Sequence, residues 1–99
     1  MIIVIGDVRV GNDSLDEALG LSHEHVERSR SEPGCISHDV HQHVDDANRL
    51  VFVERWADGD ALRTHFAVPA SIEFARALTG LADEPPQMDL YEASAWPAD

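Results

Sequence analysis

His65 is the residue of this chain best placed to do chemistry. It stands between Leu62 and Phe66, and Ala61, Leu62, His65 and Phe66 share one face at helical spacing. An imidazole titrates near neutrality, so on an apolar face it suits a general base or a hydrogen-bond partner for a ligand oxygen. A core histidine bonded to a backbone carbonyl gives the same pattern. His38 shares strand parity with Ile36 and Val40 and is the candidate second pocket group. Trp56, Phe66 and Phe74 offer aromatic surface for a pocket wall or a core. Glu54 has the parity of Phe52 and Trp56, which predicts partial burial and an arginine partner.

The other reactive side chains carry less. Asp39, His41 and His43 fall on the opposite strand face; a His-x-His pair can hold a metal, but no third ligand accompanies it, so no metal site is expected. His23 and His25 are two apart on a helix, do not share a face, and are expected in solvent. Cys35 is the single cysteine, which excludes an intrachain disulfide and a thiolate zinc site. Nothing basic adjoins it to activate the thiol. No glycine-rich phosphate loop is present, and no cofactor is expected.

The elements that must position these residues read as βαββαβ. Ile2 to Val10 is β-branched and alternating, a first strand. Ser14, three before Glu17, has capping-box spacing and opens a helix that runs to about Arg30, with Leu15, Ala18, Leu19, Ser22 and Val26 on its apolar face. Pro33-Gly34 forces a turn into a second strand, Cys35 to Val44. Asp45 to Asn48 is a hairpin loop, and Arg49 to Trp56 a third strand. Asp58 caps a second helix, Pro69 starts a further short one ending at Gly80, and Met88 to Ala93 is a fourth strand. Residues 94–99 form a tail containing Trp96. The order predicts one α+β domain over residues 1–99, a ferredoxin-like four-stranded antiparallel sheet with helices on one face. Strand one is apolar on both sides, so a second subunit packed sheet to sheet is expected over the other face.

Bulk composition narrows the partners. The 99 residues carry 19 acids against 7 bases, a net charge of -12. That balance disfavours nucleic acid, whose phosphates need clustered Lys and Arg, and anionic membrane surfaces. Met1 to Ile5 reaches Gly6-Asp7 at once without a basic flank, unlike a signal peptide, and no apolar run approaches a membrane span. A cytoplasmic location is the expectation.

Ser31-Glu32-Pro33-Gly34-Cys35-Ile36 opening strand two, then Phe52, Glu54 and Trp56, then Leu62 and His65, then Pro69 through Phe74, and Tyr91 resemble the antibiotic biosynthesis monooxygenase (ABM) domain of the dimeric α/β barrel superfamily, over roughly residues 1–92. The resemblance implies a small homodimer whose two sheets form a shared barrel. Some members oxidise quinols or anthrone-type aromatics with molecular oxygen and no cofactor; others degrade haem. Haem-degrading relatives carry tryptophan at the place of His65 and a haem-ligating histidine about ten residues on, near Ala75 here. No histidine follows His65, so that site is absent. The family often has tyrosine where this chain has His38.

The expectation is therefore a cofactor-independent monooxygenase acting on a small electron-rich aromatic and molecular oxygen. His65 is its catalytic group, and His38, Trp56, Phe66 and Phe74 bind substrate. A non-catalytic binding or stress-response module of the same fold is the alternative, as is another dimeric-barrel reaction such as isomerisation.

Overall fold

The computed structural model describes residues 1–97. Eight elements follow one another: β1 (Ile2–Arg9), a 3-10 turn (Asn12–Ser14), α1 (Leu15–Ser29), β2 (Cys35–His43), β3 (Asp46–Trp56), α2 (Gly59–Ala67), α3 (Pro69–Leu81) and β4 (Gln87–Glu92). The strands make one antiparallel sheet in the order β2-β3-β1-β4, the ferredoxin-like arrangement expected. No helix among the described residues is long and apolar enough to cross a membrane.

Period-two alternation decides which side chains enter the core. On β1 and β3 the residues Val4, Val8, Leu50, Phe52, Glu54 and Trp56 all face the helices and are buried. Ile3, Ile5, Val51 and Val53 have the other parity and stay half-buried on the helix-free face. Two clusters form the core. Val8, Val10, Ala18, Val26, Leu50, Phe52 and Leu78 fill one end; Val4, Trp56 and Leu62 fill the other.

Several local expectations are corrected. Ser14 makes no side-chain cap, because a 3-10 turn places it already in helical backbone (φ -105, ψ -5). Ile36 does not share the face of His38: a bulge between Cys35 and Ser37 breaks the alternation and leaves Ile36 57% exposed. The hairpin turn is only Val44-Asp45, so β3 begins at Asp46. The last helix has 13 residues against nine in α2, and Gly80 lies inside it. β4 begins one residue before and ends one residue before the expected bounds. Ala98 and Asp99 of the expected tail lie outside the described residues.

Two features dock α2 on the sheet. Asp58 caps it, its side chain accepting a hydrogen bond from the Ala61 N–H at 2.8 Å. Gly34 has φ +83, and a Cβ there would lie 2.5 Å from the Ala61 Cβ, so only glycine allows the turn and α2 to approach this closely. Pro69 ends α2 by forcing Val68 into extended backbone (φ -63, ψ 126). His65 is thereby held in the last turn of α2.

Candidate active site

Four elements aim polar side chains at one buried point. His38 on β2 and Glu54 on β3 are cross-strand partners on the helix-facing side. His65 descends from α2 and His25 from α1. All four are at most 6% exposed. The expectation that His25 is solvated is wrong. The buried stripe of α1 is Ala18, Ser22, His25, Val26 and Ser29, and His25 lies three residues after Ser22 on that stripe. His23, on the opposite side of the helix, is exposed as expected.

Glu54 has no arginine partner. Its Oε1 accepts the Trp56 indole N–H at 2.9 Å and lies 3.2 Å from His38 Nε2 and 3.9 Å from His65 Nε2. Burial alone pushes this carboxyl up, but His38, the Trp56 N–H and His65 outweigh it and hold Glu54 below the usual carboxylate range. The 3.2 Å approach to His38 lacks hydrogen-bond alignment, and both ring nitrogens of His38 are buried without a bonded partner. Trp56 and His65 pack at a ring-centroid separation of 4.5 Å.

His65 is oriented from its other side by Glu32, whose Oε1 lies 2.9 Å from His65 Nδ1. A carboxylate can only accept here, so Nδ1 carries hydrogen and Nε2 faces Glu54. Glu32 is itself held by Arg28, whose guanidinium donates to Oε2 at 2.9 Å. Arg28 also donates to His25 Nδ1 at 2.7 Å and to Ser71 Oγ at 3.2 Å. Burial, then His38, His65 and Arg28, push His25 down to about 3, so its ring is neutral. That ring stacks on Phe74, nearly parallel, at 3.9 Å.

This cluster closes one end of an otherwise apolar cavity of about 380 Å³. His25, Glu54, His65 and Ser71 supply its polar end; Phe52, Phe66, Ile72, Phe74, Leu78 and Met88 supply its walls. Gly6 leaves part of the sheet floor without a side chain. Phe66 of α2, Ile72 of α3 and Met88 of β4, which line the cavity's exposed side, are 41–51% exposed. Of the residues singled out from sequence, His65, Phe66 and Phe74 line the cavity. His38 and Trp56 sit behind its wall, against Glu54 and His65. Glu32, Arg28, His25 and Ser71 were not identified from sequence. His25 was readable from the stripe of α1; Glu32 stands 33 residues from His65 and only the fold joins them.

A buried imidazole held by a carboxylate thus stands at the end of an apolar cavity on a ferredoxin-like sheet. The chain matches the model of the antibiotic biosynthesis monooxygenase (ABM) family over residues 1–77, and it belongs to that family. It is 35% identical over 91 residues to an uncharacterized protein of Synechocystis sp., a match covering 92% of this chain and 62% of that protein. The chain thus spans a little under two thirds of that relative's length. Among solved structures, an antibiotic biosynthesis monooxygenase superposes with a TM-score of 0.89 at 27% identity, covering 96% of this chain and all of that one. A variant of SnoaB, a cofactor-independent oxygenase from Streptomyces nogalater, superposes with a TM-score of 0.83 at 22% identity, covering 98% of this chain and 97% of that one. At that identity the second likeness shows the fold.

Proposed function

We propose that this chain is a cofactor-independent monooxygenase for a small electron-rich aromatic of quinol or anthrone type. The observation that carries the reading is the Glu32–His65 dyad at the polar end of the apolar cavity. The aromatic body enters between Phe74, Phe66 and Phe52, with its hydroxyl toward His65. Nε2 of His65 takes the hydroxyl proton, and Glu32 steadies the imidazolium that forms. The substrate anion gives its electrons to oxygen. For an anthrone-type methylene, R₂CH₂ + O₂ gives R₂C=O + H₂O: one oxygen atom enters the product and the other leaves as water. The substrate supplies all the electrons, so no cofactor takes part.

Ile3, Ile5, Val51 and Val53 line the helix-free sheet face. A second copy of the chain packed there gives a homodimer and completes a barrel. One observation favours a second chemistry. Glu54 and the Nε2 of His65, 3.9 Å apart, are two groups that can pass a proton across a bound ligand, as an isomerase does. Oxygen uptake with dihydroxynaphthalenes and anthrones separates the two: the monooxygenase consumes oxygen with the substrate, the isomerase does not.

A further inference from the structure

We infer that His38, His65 and Glu54, with His25 as a fourth donor, form a binding site for one divalent first-row transition cation of the zinc type. Such a site shares Nε2 of His65 with the oxidative reading, so cation and substrate proton compete for it, but it takes a cation whether or not any substrate turns over. The donors come from four different elements, α1, β2, β3 and α2. The ring centroids of His25, His38 and His65 form a nearly equal-sided triangle of 5.1, 5.3 and 5.4 Å. One nitrogen of each ring lies within 4.8 Å of the others.

Coordination geometry gives the test of fit. Bonds of about 2.0–2.1 Å in a tetrahedron put neighbouring donors about 3.3 Å apart. Glu54 Oε1 is already 3.2 Å from His38 Nε2 and 3.9 Å from His65 Nε2. The imidazole nitrogens need to close from at most 4.8 Å, a shift of about 1.5 Å that ring rotation supplies. Imidazole with a single carboxylate is the donor set of zinc and its first-row neighbours, and not of magnesium or calcium.

Three further observations point to a ligand. His38 is fully buried; among the described residues its Nδ1 has no bonded partner, and its Nε2 meets only Glu54 Oε1, at 3.2 Å and off hydrogen-bond alignment. Native cores rarely leave such groups orphaned, and a cation satisfies one of them. Nδ1 of His65 donates to Glu32, the carboxylate–histidine pairing that orients metal-binding imidazoles. Glu54 sets a buried carboxylate beside these rings, and the Arg28 guanidinium is turned away from it to Glu32, His25 and Ser71.

Arg28 ranks the ligands. A guanidinium only donates, so Nδ1 of His25 accepts and the neutral ring keeps its hydrogen on Nε2. His38, His65 and Glu54 are therefore the firm ligands. The fourth position is filled by water, or by His25 once Arg28 turns away.

The metal-stripped full chain is titrated with Co²⁺ and followed by visible absorption, then challenged with Zn²⁺. The expected result is one Co²⁺ per chain with intense tetrahedral bands, displacement by Zn²⁺, and a rise in Tm with Zn²⁺. Glu32→Gln, which orients His65 without ligating, weakens Co²⁺ binding by about 10–100-fold, and His38→Gln and Glu54→Gln weaken it further. The double substitution His41→Ala, His43→Ala, at the exposed end of β2, leaves it unchanged. If His38→Gln or Glu54→Gln does not fold, Zn²⁺-induced shifts of the His38 and His65 imidazole nitrogen resonances in the wild type decide instead. No tetrahedral bands up to about 1 mM Co²⁺ overturns the site. So does binding that His38→Gln spares, that the His41/His43 variant abolishes, or that leaves those resonances unmoved. Oxygen uptake is not read here, so the cation site and the oxidative reading fail separately.

Discussion

Acid should weaken this fold through His25. Burial, the neighbouring His38 and His65, and the Arg28 guanidinium push its ring down to about 3. The unfolded imidazole titrates at about 6.5. Between those values the unfolded chain holds a proton that the folded chain refuses, so unfolding free energy rises with pH. The stability due to neutral His25 is complete above about 6.5 and is lost progressively as pH falls toward about 3. Well inside the window each pH unit is worth about 1.4 kcal/mol, so moving from pH 7 to 5 removes about 2 kcal/mol through this one group. That is a large share of the roughly 5–15 kcal/mol that holds a domain together. Glu54, the buried carboxylate of the cluster, is held below the usual carboxylate range. The comparison is with His25→Phe, which keeps a flat ring against Phe74 but takes no proton. Urea unfolding of both proteins in EDTA is measured at pH 7 and pH 5, where the effects of groups common to both cancel. The wild type should lose about 2 kcal/mol more than the variant over that interval. Parallel losses would refute a buried neutral His25, and with it the polar layout of the site.

Three other outcomes follow from the geometry. Gly6→Val places a Cβ at an ordinary 3.5 Å from Phe52 and projects a side chain from the cavity floor; the fold should keep its stability while turnover or ligand binding falls by about tenfold or more. Gly34→Ala forces a side chain onto φ +83 and within 2.5 Å of Ala61, and should cost about 2–4 kcal/mol by urea unfolding; a change under about 0.5 kcal/mol would contradict the packing of α2. Light scattering at micromolar concentration should give a dimer, and Val53→Glu on the helix-free sheet face should shift it toward monomer; a monomeric wild type removes the sheet-to-sheet interface.

Much of the fold was legible because its residues obey a single period. Leu50, Phe52, Glu54 and Trp56 alternate cleanly, and β3 is buried on that parity. Asp58 and Pro69 fix the start of α2 and its break from α3 by backbone chemistry that needs no tertiary context. The misreadings arose where that period breaks or where contacts span the chain. The bulge at Ile36 reverses a face just after Pro33-Gly34, a pair that signals a turn but not a shift of register. His25 was missed for a different reason: it was weighed against His23 rather than against Ser22 and Ala18, its neighbours on the buried stripe. The partner of Glu54 was assigned by charge, whereas the fold supplies Trp56 and His38. Glu32 was read only as part of a turn signature. Its reach to His65 depends on Gly34 letting α2 approach, a contact no local pattern encodes.

The proposed reaction turns on His65, held by Glu32, ionising an aromatic hydroxyl so that oxygen can react with it. The direct measurement is oxygen uptake by metal-free protein with a dihydroxynaphthalene or anthrone, compared between wild type and a folded His65→Ala variant. The expected result is uptake with stoichiometric ketone or quinone product, reduced about 10²-fold or more in the variant. Equal rates in the two proteins, or no uptake with any of these substrates, would contradict it.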